Sequence, residues 1–339
     1  MTKQPFISVI IPVYNGEKFL PGCLDALIAN SYPERELIVV DDCSTDQSVQ
    51  ISRDKGAVVL TTARQSGPGA ARNLGAQQAR GEILLFVDAD VVVARDTLER
   101  VAADFIDDPD IAAVFGSYDD DPGEKNFISQ YKNLFHRFVH QQARSQAETF
   151  WAGCGAIRRE LFLVVNGFDA ERYPRPAIED IELGYRLRRK GYRILLDKQL
   201  QAKHLKRWNL KSMLHADIFC RAIPWSMLIF ESKGMVNDLN LQTTDRISAA
   251  LLGLSLLILP FSVFRPRLLL LVVVLLAMIV LINHKFYRFF VRRKGPAFAI
   301  LVFPLHLLYY LYSSVTFVLC WFTYIFRQRF LRKHVPTDS

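Results

Sequence analysis

The feature that most constrains this chain is the loss of charge toward its end. Residues 247–264 are 18 in a row without a charged side chain, about 27 Å long as a helix against a hydrocarbon core of roughly 30 Å. Arg265-Pro266-Arg267 interrupts the run, residues 268–282 add 15 more apolar positions, and 297–326 supply 30 uncharged ones interrupted by Pro304 and His306. Almost no polar face is left, which argues against helices buried in a soluble core. Three membrane segments, 247–264, 268–284 and 299–324, are expected within a transmembrane region spanning 246–330. Residues 209–245 read as amphipathic interfacial helices, with Trp208, Arg221 and Trp225 suited to an interface, and 331–339 as a basic tail.

Charge follows the same division. From Arg246 onward, 12 Lys or Arg stand against one acid, Asp338, a net +11; the whole chain is +8, which leaves residues 1–245 at −3. Basic residues beside apolar runs, interleaved with Phe286, Tyr287, Phe289 and Phe290, point to a membrane surface and away from nucleic acid. The five cysteines are scattered, without the paired spacing of a disulfide or zinc framework, which suits a reducing compartment. The N-terminus runs straight into a strand and offers no secretory signal. The expectation is a multi-pass protein of the cell's inner (plasma) membrane with residues 1–208 in the cytoplasm. That orientation puts 285–294 inside, as the positive-inside rule asks, and leaves Arg327–Lys333 outside unless part of 297–326 lies in the interface.

Residues 1–208 read as a separate domain. Residues 6–13 form a continuous β-rich apolar run, as do 37–40 and 83–87, with a shorter one at 57–60. Helical stretches fall at 17–30, near Asp46, and at 69–80. Strands alternating with helices predict an α/β fold with a mostly parallel, doubly wound sheet. Ligands bind beyond the carboxyl ends of such strands, where both acidic turns fall, Asp41-Asp42 and Asp88-Ala89-Asp90. Residues 91–150 look less regular: an acidic loop, Asp119-Asp120-Asp121, then a surface helix with His136 and His140.

Several of these residues carry chemistry in more than one reading. Asp88 and Asp90 can share a hard divalent cation against a diphosphate, although such turns are common. Asp42 either caps the next helix or accepts hydrogen bonds from a nucleobase or ribose. The turn Gly67-Pro68-Gly69 opens a helix whose N-terminus and Arg72 suit an anion, or is an ordinary turn. Glu179 and Asp180 either complement a helix dipole, with Arg188, Arg189 and Lys190 at its far end, or supply Asp180 as a general base for an acceptor hydroxyl. His204 is either structural or a further contact to a metal or diphosphate.

Together these residues resemble the family 2 inverting glycosyltransferases of the GT-A fold. The resemblance rests on Ile11-Pro12-Val13-Tyr14-Asn15, Val40-Asp41-Asp42-Cys43-Ser44-Thr45-Asp46, Gly69-Ala70-Ala71-Arg72-Asn73 and Asp88-Ala89-Asp90. Further along come Gly153-Cys154-Gly155-Ala156-Ile157-Arg158, Gly167-Phe168-Asp169 and Glu179-Asp180, all in order across roughly residues 6–210. It implies a nucleoside pocket of Pro12, Tyr14, Glu17 and Asp42 with Arg72 nearby. It also implies Mn²⁺ or Mg²⁺ on Asp88 and Asp90, with His204 as a further ligand. Trp151, Gly153 and Asp169 would shape the sugar and acceptor site, with Arg207 and Trp208 beside it, and Asp180 would be the base, next to Glu179. The implied partners are a nucleotide-sugar donor, uridine favoured at Asp42, and a lipid or lipid-linked saccharide acceptor.

Two departures narrow the reading. Processive synthases of the family carry Gln-x-x-Arg-Trp where this chain has His204-x-x-Arg207-Trp208, and enzymes acting on polyprenyl phosphate usually carry Gln where Val92 stands. The first, with the few membrane segments, favours transfer of one sugar over polymer extrusion, and the second, with the Glu179-Asp180 pair, favours a hydroxyl acceptor. A polyprenyl-phosphate glycosyltransferase, a small processive synthase and a catalytically silent nucleotide-sugar-binding scaffold remain the alternatives.

Overall fold

The computed structural model describes residues 4–232 and 242–333, with side chains to residue 328. Residues 233–241 of the expected interfacial stretch and 334–339 of the expected tail lie outside the described residues. The chain divides into two compact units, Met1–Met213 and Leu214–Ser339.

The first unit is built on a nine-stranded sheet. Its parallel half comprises β3 (Val58–Thr61), β2 (Arg35–Asp41), β1 (Ile7–Val13) and β4 (Ile83–Val87), side by side in that order. The apolar runs are continuous because both faces are covered: every residue of β1 and β4 is buried. The helices between them are α1 (Leu20–Ile28), α2 (Ser48–Asp54) and α3 (Pro68–Gln78).

Beyond β4 the sheet is mixed. β8 (Cys154–Arg158) runs antiparallel to β4 and to β6 (Ile111–Tyr118). β9 (Arg193–His204) lies parallel to β6, and β5 (Val91–Val93) closes the edge antiparallel to β9. A two-residue β7 (Gln146–Ala147) also pairs with β9. Region 91–150, which looked irregular in sequence, therefore contributes two path strands, α4 (Thr97–Asp107) and α5 (Phe127–Gln142). The helix α5 is no surface helix: it buries Gln130 to Leu134, and His140 is 4% exposed. Its polar residues face partners inside the unit, which hid the burial from a reading based on charge. Short α6 (Arg159–Val164) and α7 (Glu179–Arg189) complete the unit.

The second unit is helical. The division falls within α8 (Leu210–His215), the start of a continuous helical segment, Leu210–Ser232, that passes through a π-helical stretch to α9 (Ile223–Ser232). Then come α10 (Thr243–Ile258), α11 (Arg267–Ile282), α12 (His284–Lys294) and α13 (Pro296–Lys333). Among the described residues, three stretches are long and apolar enough to cross a membrane: Leu210–Ser232, Thr243–Val263 and Pro296–Gln328. A fourth would be α11 with α12, which meet at a 70° bend. The apolar windows of the three are only 28, 17 and 22% buried, so these helices are not the core of a globule. Polar side chains tie them instead: Asn283 donates to Ser248 Oγ at 2.8 Å, and Tyr310 donates to Asn283 Oδ1 at 3.1 Å. Such links stabilise helix packing where no water competes.

Candidate active site

The parallel register sets the carboxyl ends of β1, β2 and β4 next to one another, and the loops beyond them are laced together. Asn15 N donates to Ser44 Oγ (2.9 Å), Gly16 N to Ser48 Oγ (2.9 Å) and Glu17 N to Asp46 Oδ2 (3.0 Å). Glu17 Oε2 in turn accepts from Gln47 N at 3.1 Å. Glu17 thus braces the loop after β2, while Tyr14 stands 48% exposed above buried Pro12. Asp42 is buried and accepts from Thr62 Oγ1, Ser66 N and Gly67 N, each at 2.8 Å. Three of the roughly four acceptor positions of its carboxylate are therefore filled from within the chain, and one remains for a ligand.

Asp42 also shapes the turn that opens α3. Gly67 has φ +86°, and a Cβ there would lie 2.5 Å from the Pro174 carbonyl oxygen. Only glycine satisfies both demands. From this turn α3 carries Arg72 inward, 4% exposed, with its guanidinium over the Phe168 ring. Arg72 Nη2 donates to Asp88 Oδ1 at 2.6 Å and Nη1 to Glu179 Oε1 at 3.0 Å. One cation thereby joins the loop after β4 to the start of α7, which lies 107 residues beyond Arg72 itself.

Glu179 is spoken for: its second oxygen accepts from Ala177 N at 2.9 Å. Asp180, beside it, accepts from Ile181 N (2.8 Å) and Ala152 N (3.1 Å). Burial pushes the Asp180 carboxyl up to about 6, and the neighbouring Glu179 charge adds to the rise. Burial also pushes Asp88 up, against the pull of Arg72.

Trp151, Ala152 and Gly153 lie between these carboxylates. Gly153 O accepts from Asp88 N at 3.2 Å, while Ala152 N reaches Asp180. The Trp151 indole folds back over Gly153, where a Cβ would come within 2.5 Å of the ring. Asp169 is further along, its Oδ1 accepting from Arg172 N at 3.0 Å, beyond a reciprocal clamp between Asn73 and the Phe168 backbone.

The other acid of the turn, Asp90, faces a different set. The antiparallel register of β5 and β9 pairs Val91 with His204. That pairing brings His204 Nε2 to 3.4 Å from Asp90 Oδ2. Burial again opposes the Asp90 charge, but the His204 imidazole and Lys206 outweigh it and hold its carboxyl low. His204 is 6% exposed, stacks on Tyr118 (4.5 Å, 9°) and meets Asn133 Oδ1 through Nδ1 at 2.7 Å. Trp208 donates from N to Ser129 Oγ at 2.7 Å under the Lys206 ammonium, and Arg207 is exposed.

The sequence-predicted residues thus fall into three linked groups: Pro12, Tyr14, Glu17 and Asp42; Arg72, Asp88, Glu179, Asp180, Trp151 and Gly153; and Asp90 with His204. Asp88 does not close on a common point with the last pair. Among the described residues, no three His, Cys, Asp or Glu side chains converge as a ready metal cage. Sequence reasoning missed Asn133 and Tyr118, and no local motif marks either.

Residues 8–164 match the model of glycosyl transferase family 2. This chain carries a family 2 glycosyltransferase domain. It is similar to an uncharacterized glycosyltransferase of Haemophilus influenzae, 40% identical over 102 residues, which are 29% of this chain and 41% of that one. It is also similar to TarS of Staphylococcus aureus, a poly(ribitol-phosphate) beta-N-acetylglucosaminyltransferase, 43% identical over 108 residues. That match covers 30% of this chain and 19% of TarS, so the chain spans less than half the length of either relative. Among solved structures, the mannosyltransferase PcManGT from Pyrobaculum calidifontis, in complex with GDP-Man and Mn²⁺, superposes with a TM-score of 0.59 at 19% identity. The superposition covers 94% of this chain and 88% of that one. The fold of the family 2 domain is therefore of the GT-A type.

Proposed function

We propose that this chain is a membrane-bound inverting glycosyltransferase, moving one sugar from a nucleoside-diphosphate sugar to a hydroxyl of a lipid or lipid-linked saccharide. The observation that carries it is the placement of Asp180, fixed by the Ala152 and Ile181 backbone N–H groups next to Glu179. Arg72, the partner of Glu179, also holds Asp88. Burial raises the Asp180 carboxyl to about 6, which suits a general base. Asp180 takes the proton of the acceptor hydroxyl, and the oxygen bonds to the anomeric carbon from the side opposite the leaving group. The bond from that carbon to the diphosphate breaks, and its electron pair leaves with the nucleoside diphosphate. The configuration inverts in one step.

Arg72 offers the charge nearest the carboxylates, and a diphosphate would compete with Asp88 and Glu179 for it. Asp42, with one acceptor position left, suits a single base or ribose contact, and a UDP-sugar is the favoured donor. Asp90 and His204 present a carboxylate oxygen and an imidazole nitrogen 3.4 Å apart, a donor pair that fits Mn²⁺ or Mg²⁺ completed by phosphate oxygens and water. An ion held there would neutralise charge on the departing diphosphate. The TarS name, a transferase onto poly(ribitol-phosphate), supports an acceptor in the cell envelope, and the apolar helices of the second unit support one at the membrane.

The deciding assay follows sugar transfer by the detergent-purified chain from UDP-, GDP- and dTDP-sugars. Release of nucleoside diphosphate, an inverted product and a rate lowered roughly 10²–10⁴-fold by Asp180→Asn are expected. Direct glycosylation of polyprenyl phosphate that Asp180→Asn leaves intact would sink the hydroxyl-acceptor reading, and long polymer on a gel would favour a processive synthase.

A further inference from the structure

Asn133 has no part in the site as the motifs describe it, yet it is 2% exposed and spends its carbonyl oxygen on His204. An amide oxygen only accepts, so at 2.7 Å it fixes a proton on His204 Nδ1. The Tyr118 ring, stacked on the imidazole at 4.5 Å and 9°, holds the ring plane. With Nδ1 committed to Asn133, Nε2 is the nitrogen turned toward Asp90 Oδ2, 3.4 Å away. The two atoms are close enough to share a cation, either a proton or a divalent metal that displaces it.

We infer that Asn133 is a positioning residue that locks His204 in its Nδ1–H form, so that Nε2 and Asp90 together present a divalent-cation half-site. Two further features fit this assignment. The Asn133 amide nitrogen has no partner among the described residues, so the side chain is kept for its oxygen. The residues come from α5, β9 and the turn before β5, so only the folded sheet assembles them. A ring partner of this kind usually changes metal affinity by 10–100-fold.

The inference rests on the metal reading of Asp90 and His204, and the test separates the two. Mn²⁺ is titrated into the full-length protein in detergent and followed by electron paramagnetic resonance, alone and with UDP. Asn133→Leu should weaken Mn²⁺ binding roughly 10–100-fold. Asn133→Asp, which still accepts from Nδ1, should keep it within about threefold of the parent by the same reasoning. The metal-free melting temperature of each variant reports folding. Binding lost equally in Asn133→Asp and Asn133→Leu, or retained in both, overturns the role of Asn133. Binding that survives His204→Ala overturns the metal reading itself.

Discussion

At the scale of single residues, the carboxyl groups set how the protein answers pH. Asp180 acts as a base only when ionised, so kcat/KM should rise with pH through about 6 and then level off. After burial, the Glu179 charge is the next cause of that high value. Glu179→Gln should therefore move the acidic limb to lower pH, even as loss of its ion pair with Arg72 lowers the overall rate. A pH–rate profile checks this, and an unmoved limb would mean that Asp180 does not limit the rate. Asp104 tests the same physics away from the site. Burial, with Asp197 and Asp107 nearby, pushes it up to about 7, and its Oδ2 has no partner. The folded state therefore holds a proton that the unfolded chain releases near pH 4. The stability linked to that proton is complete below pH 4 and is lost as pH rises to about 7. Asp104→Asn should raise Tm by a few degrees at pH 8 and change little at pH 4, as melts at the two values would reveal.

At the scale of elements, the turn into α3 links loop geometry to the site. Gly67→Ala places a methyl 2.5 Å from a backbone oxygen at positive φ, a strain on the order of 1–3 kcal/mol. The variant should melt several degrees lower and raise the donor KM, because Arg72 rides on the helix that this turn starts. A Tm drop with unchanged KM would disconnect the turn from the donor. The same turn shows what was legible in the sequence and what was not. β1, β2 and β4 could be read because burial on both faces leaves an unbroken apolar run, and the acidic turns could be read because they follow such runs directly. The mixed half could not, since β6 and β9 take their partners through registers that no local period encodes. Asn133 and Tyr118 gain meaning only once Val91 is paired with His204. Asp42 was legible as important, but its three internal donors, 20 to 25 residues away, were not.

At the scale of the whole molecule, the two units present different surfaces. The first buries its apolar runs in its own sheet. The second leaves large apolar side chains bare: Leu257, Phe264, Leu270 and Ile300 are 69–81% exposed, an arrangement that water penalises and lipid does not. Net charge divides in the same way, −3 before Arg246 and +11 after it, so an anionic bilayer surface would attract only the second part. If the apolar helices and not the basic residues hold the chain, salt should not release it. The full-length protein should stay in the membrane pellet through 1 M NaCl, which shortens electrostatic reach to about 3 Å, and through alkaline carbonate, leaving only with detergent. Residues 1–213 expressed alone should stay soluble and keep Mn²⁺-dependent UDP binding, while transfer to a membrane-borne acceptor falls far more than transfer to a soluble analogue. Release of the full-length protein by salt alone would assign the attachment to the charges. Equal losses on both acceptors would mean that the second unit supports the catalytic domain itself and not its access to the membrane.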